Sequence, residues 1–231
     1  MKNSIIFFIL FACCFSCRHR SKVNDDSINY VKQDSTVMNE RYDYESTDGG
    51  KKSVYIEQNG WVIYKSSGDY YDMYPPPEFY KIVKIFYPNG NIEAETKFIG
   101  GVEIDTTRYY NEAGYLVKEV YENKKFGAIK PEHILKFLER AGWIDLKTGK
   151  GRTIIKGEGS KLIEYEKCVF ELRFEPVGES KSVKNNKVPI WIVFIPNSSK
   201  ENKWEETTYI IDGETGQVLK KEVEEKEMPL K

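Results

Sequence analysis

Residues 80–98 read Tyr-Lys-Ile-Val-Lys-Ile-Phe-Tyr-Pro-Asn-Gly-Asn-Ile-Glu-Ala-Glu-Thr-Lys-Phe, two alternating runs hinged on Pro88-Asn89-Gly90. Side chains two apart share one face of a strand. Asn-Gly between such runs is a strong short-range hairpin signal, because both turn residues tolerate positive φ. The stretch therefore predicts strands over Tyr80–Tyr87 and Asn91–Phe98. Ile92, Ala94, Thr96 and Phe98 fall on one face, with Glu93, Glu95 and Lys97 on the other.

Outward from this hairpin the pattern repeats. Gly100-Gly101 makes the next turn, and Glu103–Tyr110 and Tyr115–Glu122 flank Asn111-Glu112-Ala113-Gly114. Upstream, Ser53–Glu57 and Trp61–Lys65 flank Gln58-Asn59-Gly60. Tyr87-Pro-Asn-Gly90-Asn-Ile-Glu93 is echoed by Tyr110-Asn-Glu-Ala-Gly114-Tyr-Leu-Val-Lys-Glu119, with a fainter copy at Tyr55–Trp61. A repeat of this length predicts stacked hairpins, none of which buries its face alone. Tyr70–Tyr80, with Pro75-Pro76-Pro77 at its centre, reads as a loop stiffened by proline and pinned to the sheet by tyrosines. The competing reading is an aromatic, polyproline contact surface.

These units resemble the variant MORN repeats, whose core is Tyr-Tyr-x-Asn-Gly-x-x-x-x-Glu. Asn89 and Gly90 match it, whereas the second unit carries Ala113-Gly114. The resemblance implies a meandering β-sheet and a binding or scaffolding role. Some relatives are labelled antitoxin components.

The following segment, 128–223, changes character. Lys130–Arg140 predicts a helix: Pro131 suits the first turn, Ile134, Leu135, Phe137 and Leu138 form an apolar stripe, and Gly142 ends it. Strands are expected near Thr153–Lys156, Leu162–Glu166, Cys168–Glu175, Pro189–Ile195, Glu205–Asp212 and Gln217–Val223. Ile190–Ile195 is apolar at every position, so it should be a central, covered strand. The closing stretch, Tyr209-Ile-Ile-Asp212-Gly-Glu-Thr215-Gly216-Gln-Val218, resembles the final hairpin of PepSY-type domains. That implies a helix lying on an antiparallel sheet and a binding module, with Asp212 and Thr215 forming a turn and no catalytic role. Peptidase restraint is one role proposed for such modules. The fold class expected is thus β-rich α+β: a meandering antiparallel hairpin array over 51–127, then a helix-on-antiparallel-sheet module over 128–223. Residues 224–231 form a charged tail.

At the N-terminus Lys2 precedes an unbroken apolar run, Ile5–Phe15, then Ser16 and Cys17. A bilayer-spanning helix needs about 20 residues, so this run has the length of a signal-peptide core. Ser16-Cys17 resembles the lipobox of bacterial lipoproteins, in which the cysteine is acylated and becomes the mature N-terminus. The resemblance implies a signal peptide over 1–16 and lipidation at Cys17, with a lipid-anchored location in the cell envelope. No acidic run directly follows Cys17, which favours a periplasm-facing location over surface export, and the outer membrane is the expected site. Stable anchoring needs two acyl chains, which a mature lipoprotein has. Residues 17–50, poor in aliphatics, are expected to be a flexible tether.

No residue set points to chemistry. Lys+Arg 35 against Asp+Glu 36 gives a net charge of -1, which argues against a nucleic-acid partner. His19 and His133 are not at metal-ligand spacing, and no Cys-x-x-Cys survives removal of 1–16. Cys168 lies in phase with Phe170, Leu172 and Phe174 and reads as a small buried hydrophobe, not as a nucleophile served by His133. Gly149-Lys-Gly151-Arg and Gly157-Glu-Gly159-Ser lack the Gly-Lys-Ser/Thr of a phosphate loop, and Glu205-Glu206 reads as ordinary solvated charge. The expectation is a non-enzyme without cofactor or metal, anchored to a membrane and partnered by an unidentified protein. An immunity protein or a peptidase inhibitor is the alternative.

Overall fold

Asn59 and Gly60 have φ of 53° and 77°, the two positive values of a tight hairpin turn, and they join strands β2 (Val54–Gln58) and β3 (Trp61–Lys65). At Pro88-Asn89-Gly90 only Gly90 is left-handed, at 85°. Proline fixes φ near -65°, so this turn instead places Pro88 second and glycine fourth, with the Gly90 N–H donating to Tyr87 O at 2.8 Å. Gly114 closes the next turn in the same way, donating to Asn111 O at 2.8 Å. Tyr87 therefore corresponds structurally to Asn111, one residue beyond the Tyr110 that the sequence echo aligns with it.

The computed structural model describes residues 28–30, 41–51, 53–67, 69–152, 154–158, 161–166, 170–198 and 203–227. Cys17, the 1–16 leader, His19 and Cys168 lie outside them.

The first segment builds an eight-stranded antiparallel sheet in the order β1-β8-β7-β6-β5-β4-β3-β2. Its members beyond β2 and β3 are β1 (Ile28–Tyr30), β4 (Tyr70–Tyr74), β5 (Tyr80–Phe86), β6 (Ile92–Ile99), β7 (Val102–Tyr110) and β8 (Leu116–Tyr121). From β2 to β8 each strand pairs with its sequence neighbour, a meander. Two expectations are corrected. Tyr70–Tyr74 is a strand, not a loop: Tyr70 and Tyr71 pair with Ile85 and Lys84. Residues 41–50, read as part of a flexible tether, pack on the sheet. Tyr42 is 4% exposed within a cluster of Tyr71, Phe86, Ile92 and Tyr110, and its hydroxyl donates to Ser66 O. Aromatic area supplied by Tyr42 outweighs the polar composition around it. Ile28–Tyr30, also in the expected tether, pairs with β8.

On β6, Ala94 and Thr96 are buried as a pair on the face the alternation gives them, whereas Ile92 departs from it. A register irregularity beside the Gly90 turn sets Ile92 opposite Phe86, and Ile99 lies opposite Val102, on the face that carries Glu95 and Lys97. That face is apolar at both ends and charged across its middle. Lys84, Glu95, Arg108 and Glu119 stand directly opposite one another on β5 to β8, at 3.3, 3.2 and 3.3 Å.

Helix α1 (Pro131–Arg140) follows, then β9 (Ile154–Glu158) and β10 (Lys161–Glu166) as a separate hairpin. The chain ends in a four-stranded antiparallel sheet, β11-β12-β13-β14, of Glu171–Glu175, Ile190–Ser198, Lys203–Asp212 and Val218–Glu227. The expected tail is corrected in part, since β14 runs to Glu227. As its composition predicts, β12 is interior. Trp191, Val193 and Ile195 join the core with Ile134 and Leu138 of α1, and Ile190 and Ile192 form a second cluster against Val183 and Val188. The 176–188 loop thereby covers the sheet face opposite the helix.

One core spans both segments. Ile99, Val102 and Ile104 of the first sheet belong to the same buried cluster as Leu172, Trp191 and Ile211 of the second. At the junction Gly100 has φ of 58°, and a Cβ there would lie 2.7 Å from Leu172 N. The Gly101 N–H donates to Leu172 O at 3.2 Å, closing the edge of β11. Only glycine permits both the dihedral and the approach.

Candidate functional site

A concavity lies between α1 and the β13–β14 hairpin. It is built from the hairpin turn upward. Asp212 Oδ1 accepts the N–H groups of Glu214 and Thr215, both at 2.8 Å, and Gly216 N donates to Asp212 O at 2.9 Å. The backbone donors, Thr215 first, hold the Asp212 carboxyl below the usual carboxylate range. Gly216, at φ of 74°, lets this turn sit against Ile129, whose Cδ1 a Cβ would meet at 3.1 Å. Ile129 leads into α1, and its carbonyl accepts the Trp191 indole N–H at 3.0 Å.

The helix packs by Ile134 and Leu138, while Phe137 meets the Tyr209 ring edge-on at 5.1 Å. Between helix and hairpin lies an open groove of about 560 Å³, floored by Ile129, Ile134, Phe137 and Ile211 and rimmed by His133, Lys136, Glu139 and Arg140. Glu139 is engaged: its Oε1 accepts Leu146 N at 3.0 Å. Lys136 and Arg140 have no carboxylate partner among the described residues. The groove combines an apolar floor with a cationic rim, a composition suited to holding an acidic, partly apolar ligand.

The residues singled out in the sequence are not brought together into a reaction site. His133 Nδ1 accepts Lys130 N at 2.9 Å, a capping bond at the start of the helix. Asp212 and Thr215 shape a turn. Glu205 and Glu206 face Glu225 and Glu224 across β13 and β14. Among the described residues no cluster of three or more His, Cys, Asp or Glu is placed to hold a metal.

A second copy of the Asp212 turn was legible but missed. Asp145-Leu-Lys-Thr148-Gly149-Lys repeats its Asp-x-x-Thr-Gly pattern. Asp145 Oδ1 accepts Lys147 N and Thr148 N at 2.9 Å, Gly149 N donates to Asp145 O at 2.9 Å, and Lys150 N donates to Thr148 Oγ1 at 3.3 Å. The counterpart of that last bond runs from Gln217 N to Thr215 Oγ1 at 3.2 Å. The 145–149 turn rests on the proline loop, where Arg152 Nη1 donates to Pro75 O at 3.0 Å. The prolines thus serve an internal contact.

The hairpin turns of the large sheet form the other ordered feature. Tyr87 Oη donates to Tyr110 O at 2.8 Å and Asn89 Nδ2 to Glu112 O at 2.9 Å, both across a sequence separation of 23. On the other flank Tyr42 N donates to Gly90 O at 2.8 Å.

Compared with protein-family models, with curated proteins and with solved structures, the chain matches none.

Proposed function

We propose that this chain is a bacterial lipoprotein, acylated at Cys17 after removal of 1–16, whose folded body is a non-catalytic binding or scaffolding protein of the cell envelope. The location we assign is the outer membrane, facing the periplasm. The first sheet is read as a variant MORN-type array and the second as a PepSY-type module.

The observation that carries the binding role is the stacking of successive turns, with Tyr87 and Asn89 bonded to Tyr110 and Glu112 across equal separations. Turns tied in this way hold a long twisted sheet in one shape, which is what a recognition surface requires. The order of helix and antiparallel hairpins, with the Asp212–Gly216 turn, supports the second module.

The test is crosslinking of the intact protein in its native envelope, followed by identification of adducts. A partner recovered in stoichiometric yield supports the reading. A chain that stays uncrosslinked while control envelope proteins form adducts counts against it. An adduct that turned out to be a toxin or a peptidase would move the assignment to the immunity or inhibitor alternative.

A further inference from the structure

The two edges of the four-stranded sheet are treated differently. The β11 edge is closed by the chain itself, through Gly101 N to Leu172 O. The opposite edge is β14, ten residues long and paired, among the described residues, with β13 alone. At about 3.4 Å per residue, that leaves a free edge of roughly 34 Å. Exposed strand edges are templates for another strand. On β14, Val218, Leu219 and Val223 are 38%, 46% and 58% exposed, three of the seven large hydrophobic side chains left exposed among the described residues.

The edge adjoins the groove. Val218 lies opposite Ile211, which helps form the groove floor, and Lys221 lies over the ring of Tyr209, which Phe137 also touches. Lys221 therefore adds to the cationic side formed by Lys136 and Arg140. Lys220 is neutralised by Glu222 at 2.5 Å. A strand laid along Val218–Lys221 would meet main-chain donors and acceptors on its flank, apolar side chains toward the groove floor, and the cations of the rim.

We propose that β14 and the α1 groove together bind an extended peptide segment, added to the sheet as a fifth strand, whose groove-facing side chains, every second residue, include both apolar and acidic ones. The proposal rests on the binding-protein reading and names the chemistry of the partner. Main-chain bonds to β14 supply affinity, and the groove and its cations choose the sequence. The carboxylates of the segment complement Lys136, Arg140 and Lys221.

The experiment titrates the full chain with a fluorescein-labelled heptapeptide, Val-Ser-Glu-Ser-Val-Ser-Glu, whose valines and glutamates share one face of the strand. Its counterparts are a lysine–valine peptide and an N-methylated version of the acidic one. Saturable binding of the acidic peptide is expected, weakened about tenfold or more by Lys136→Glu with Arg140→Glu on the exposed helix face, with melting curves recorded beside the titration so that loss of fold is distinguished from loss of binding. N-methylation, which removes main-chain donors, is expected to abolish it. Equal binding of the acidic and basic peptides, or indifference to N-methylation, overturns the proposal. So does concentration-dependent dimerisation that blocks peptide uptake, because the occupant of β14 is then a second copy. Recovery of the same envelope adduct from the Lys136→Glu, Arg140→Glu chain would leave the binding-protein reading intact while removing this groove.

Discussion

Tyr87 donates its hydroxyl proton to the carbonyl oxygen of Tyr110 at 2.8 Å, a bond that ties one hairpin turn to the next. Tyr110 immediately precedes Asn111, the structural counterpart of Tyr87 in the next unit, and Asn89 makes a parallel bond to Glu112. Each unit thus completes the hydrogen bonding of its neighbour, and an isolated hairpin of this sequence would lack both contacts.

Tyr87→Phe should lower stability by about 1 kcal/mol, the usual net worth of one such hydrogen bond. Asn89→Ala should cost a similar amount, and the double variant should cost less than the sum, because both bonds fix the same pair of turns. Urea titration with an unchanged slope reads this directly. Strict additivity would mean that the turns are independent.

Gly100→Ala should be far more damaging than Gly142→Ala, although both glycines are left-handed. A methyl at Gly142 meets nothing within 4 Å, whereas at Gly100 it meets Leu172 N at 2.7 Å. The expected losses are about 1 kcal/mol at Gly142 and about 3 kcal/mol at Gly100. Because Ile99 and Leu172 share one buried cluster, tryptophan fluorescence and far-ultraviolet dichroism should report the same lowered midpoint in the Gly100 variant. Comparable losses at the two positions would contradict the packing described.

Asp43 carries a pH signature. The hydrogen bond from Lys65, supported by the N–H of Ser46, lowers its carboxyl from 3.8 to about 2. A depressed carboxylate stabilises the fold above its unfolded value and loses that contribution as pH falls through its folded value. The stability gap between wild type and Asp43→Asn should therefore be full at pH 5 and close between about pH 4 and pH 2. The side chain is 42% exposed, so solvent screening keeps the gap small. A gap independent of pH would show that the ion pair is not its source.

The Asp212 turn distinguishes geometry from charge. Asp212→Asn keeps an oxygen for the Glu214 and Thr215 N–H groups and should cost little, whereas Asp212→Ala should cost about 1 kcal/mol and loosen the groove wall at Gly216. Amide exchange at Glu214 and Thr215 is the readout. Equal protection in the Asn and Ala variants would remove the turn role given to Asp212.

Much of this was legible in the chain. Alternation and Asn-Gly punctuation marked β2, β3 and β5 to β8 to within a residue or two, and the apolar stripe with Pro131 and Gly142 marked α1. The misreadings share a cause: long-range packing overrode local composition. Tyr70–Tyr74 is followed by three prolines and so resembles a loop, yet β3 and β5 leave a vacancy that it fills. Tyr42 sits in a polar stretch, and its place in the aromatic cluster depends on Tyr71 and Phe86. On β6 only Ile92 leaves its expected face, because alternation cannot register a residue inserted at a turn. The groove was invisible in the sequence, since its walls come from α1 and a hairpin more than seventy residues later. The Asp145 turn, in contrast, was available as a repeat of Asp-x-x-Thr-Gly.

Acylation of Cys17 is tested most directly by the intact mass of the protein purified from membranes, measured beside a Cys17→Ser variant. The wild-type chain should begin at Cys17, carry diacylglycerol and acyl mass and partition with membranes, while the variant remains unacylated. A wild-type chain of unmodified mass, found in the soluble fraction with the variant, would contradict it.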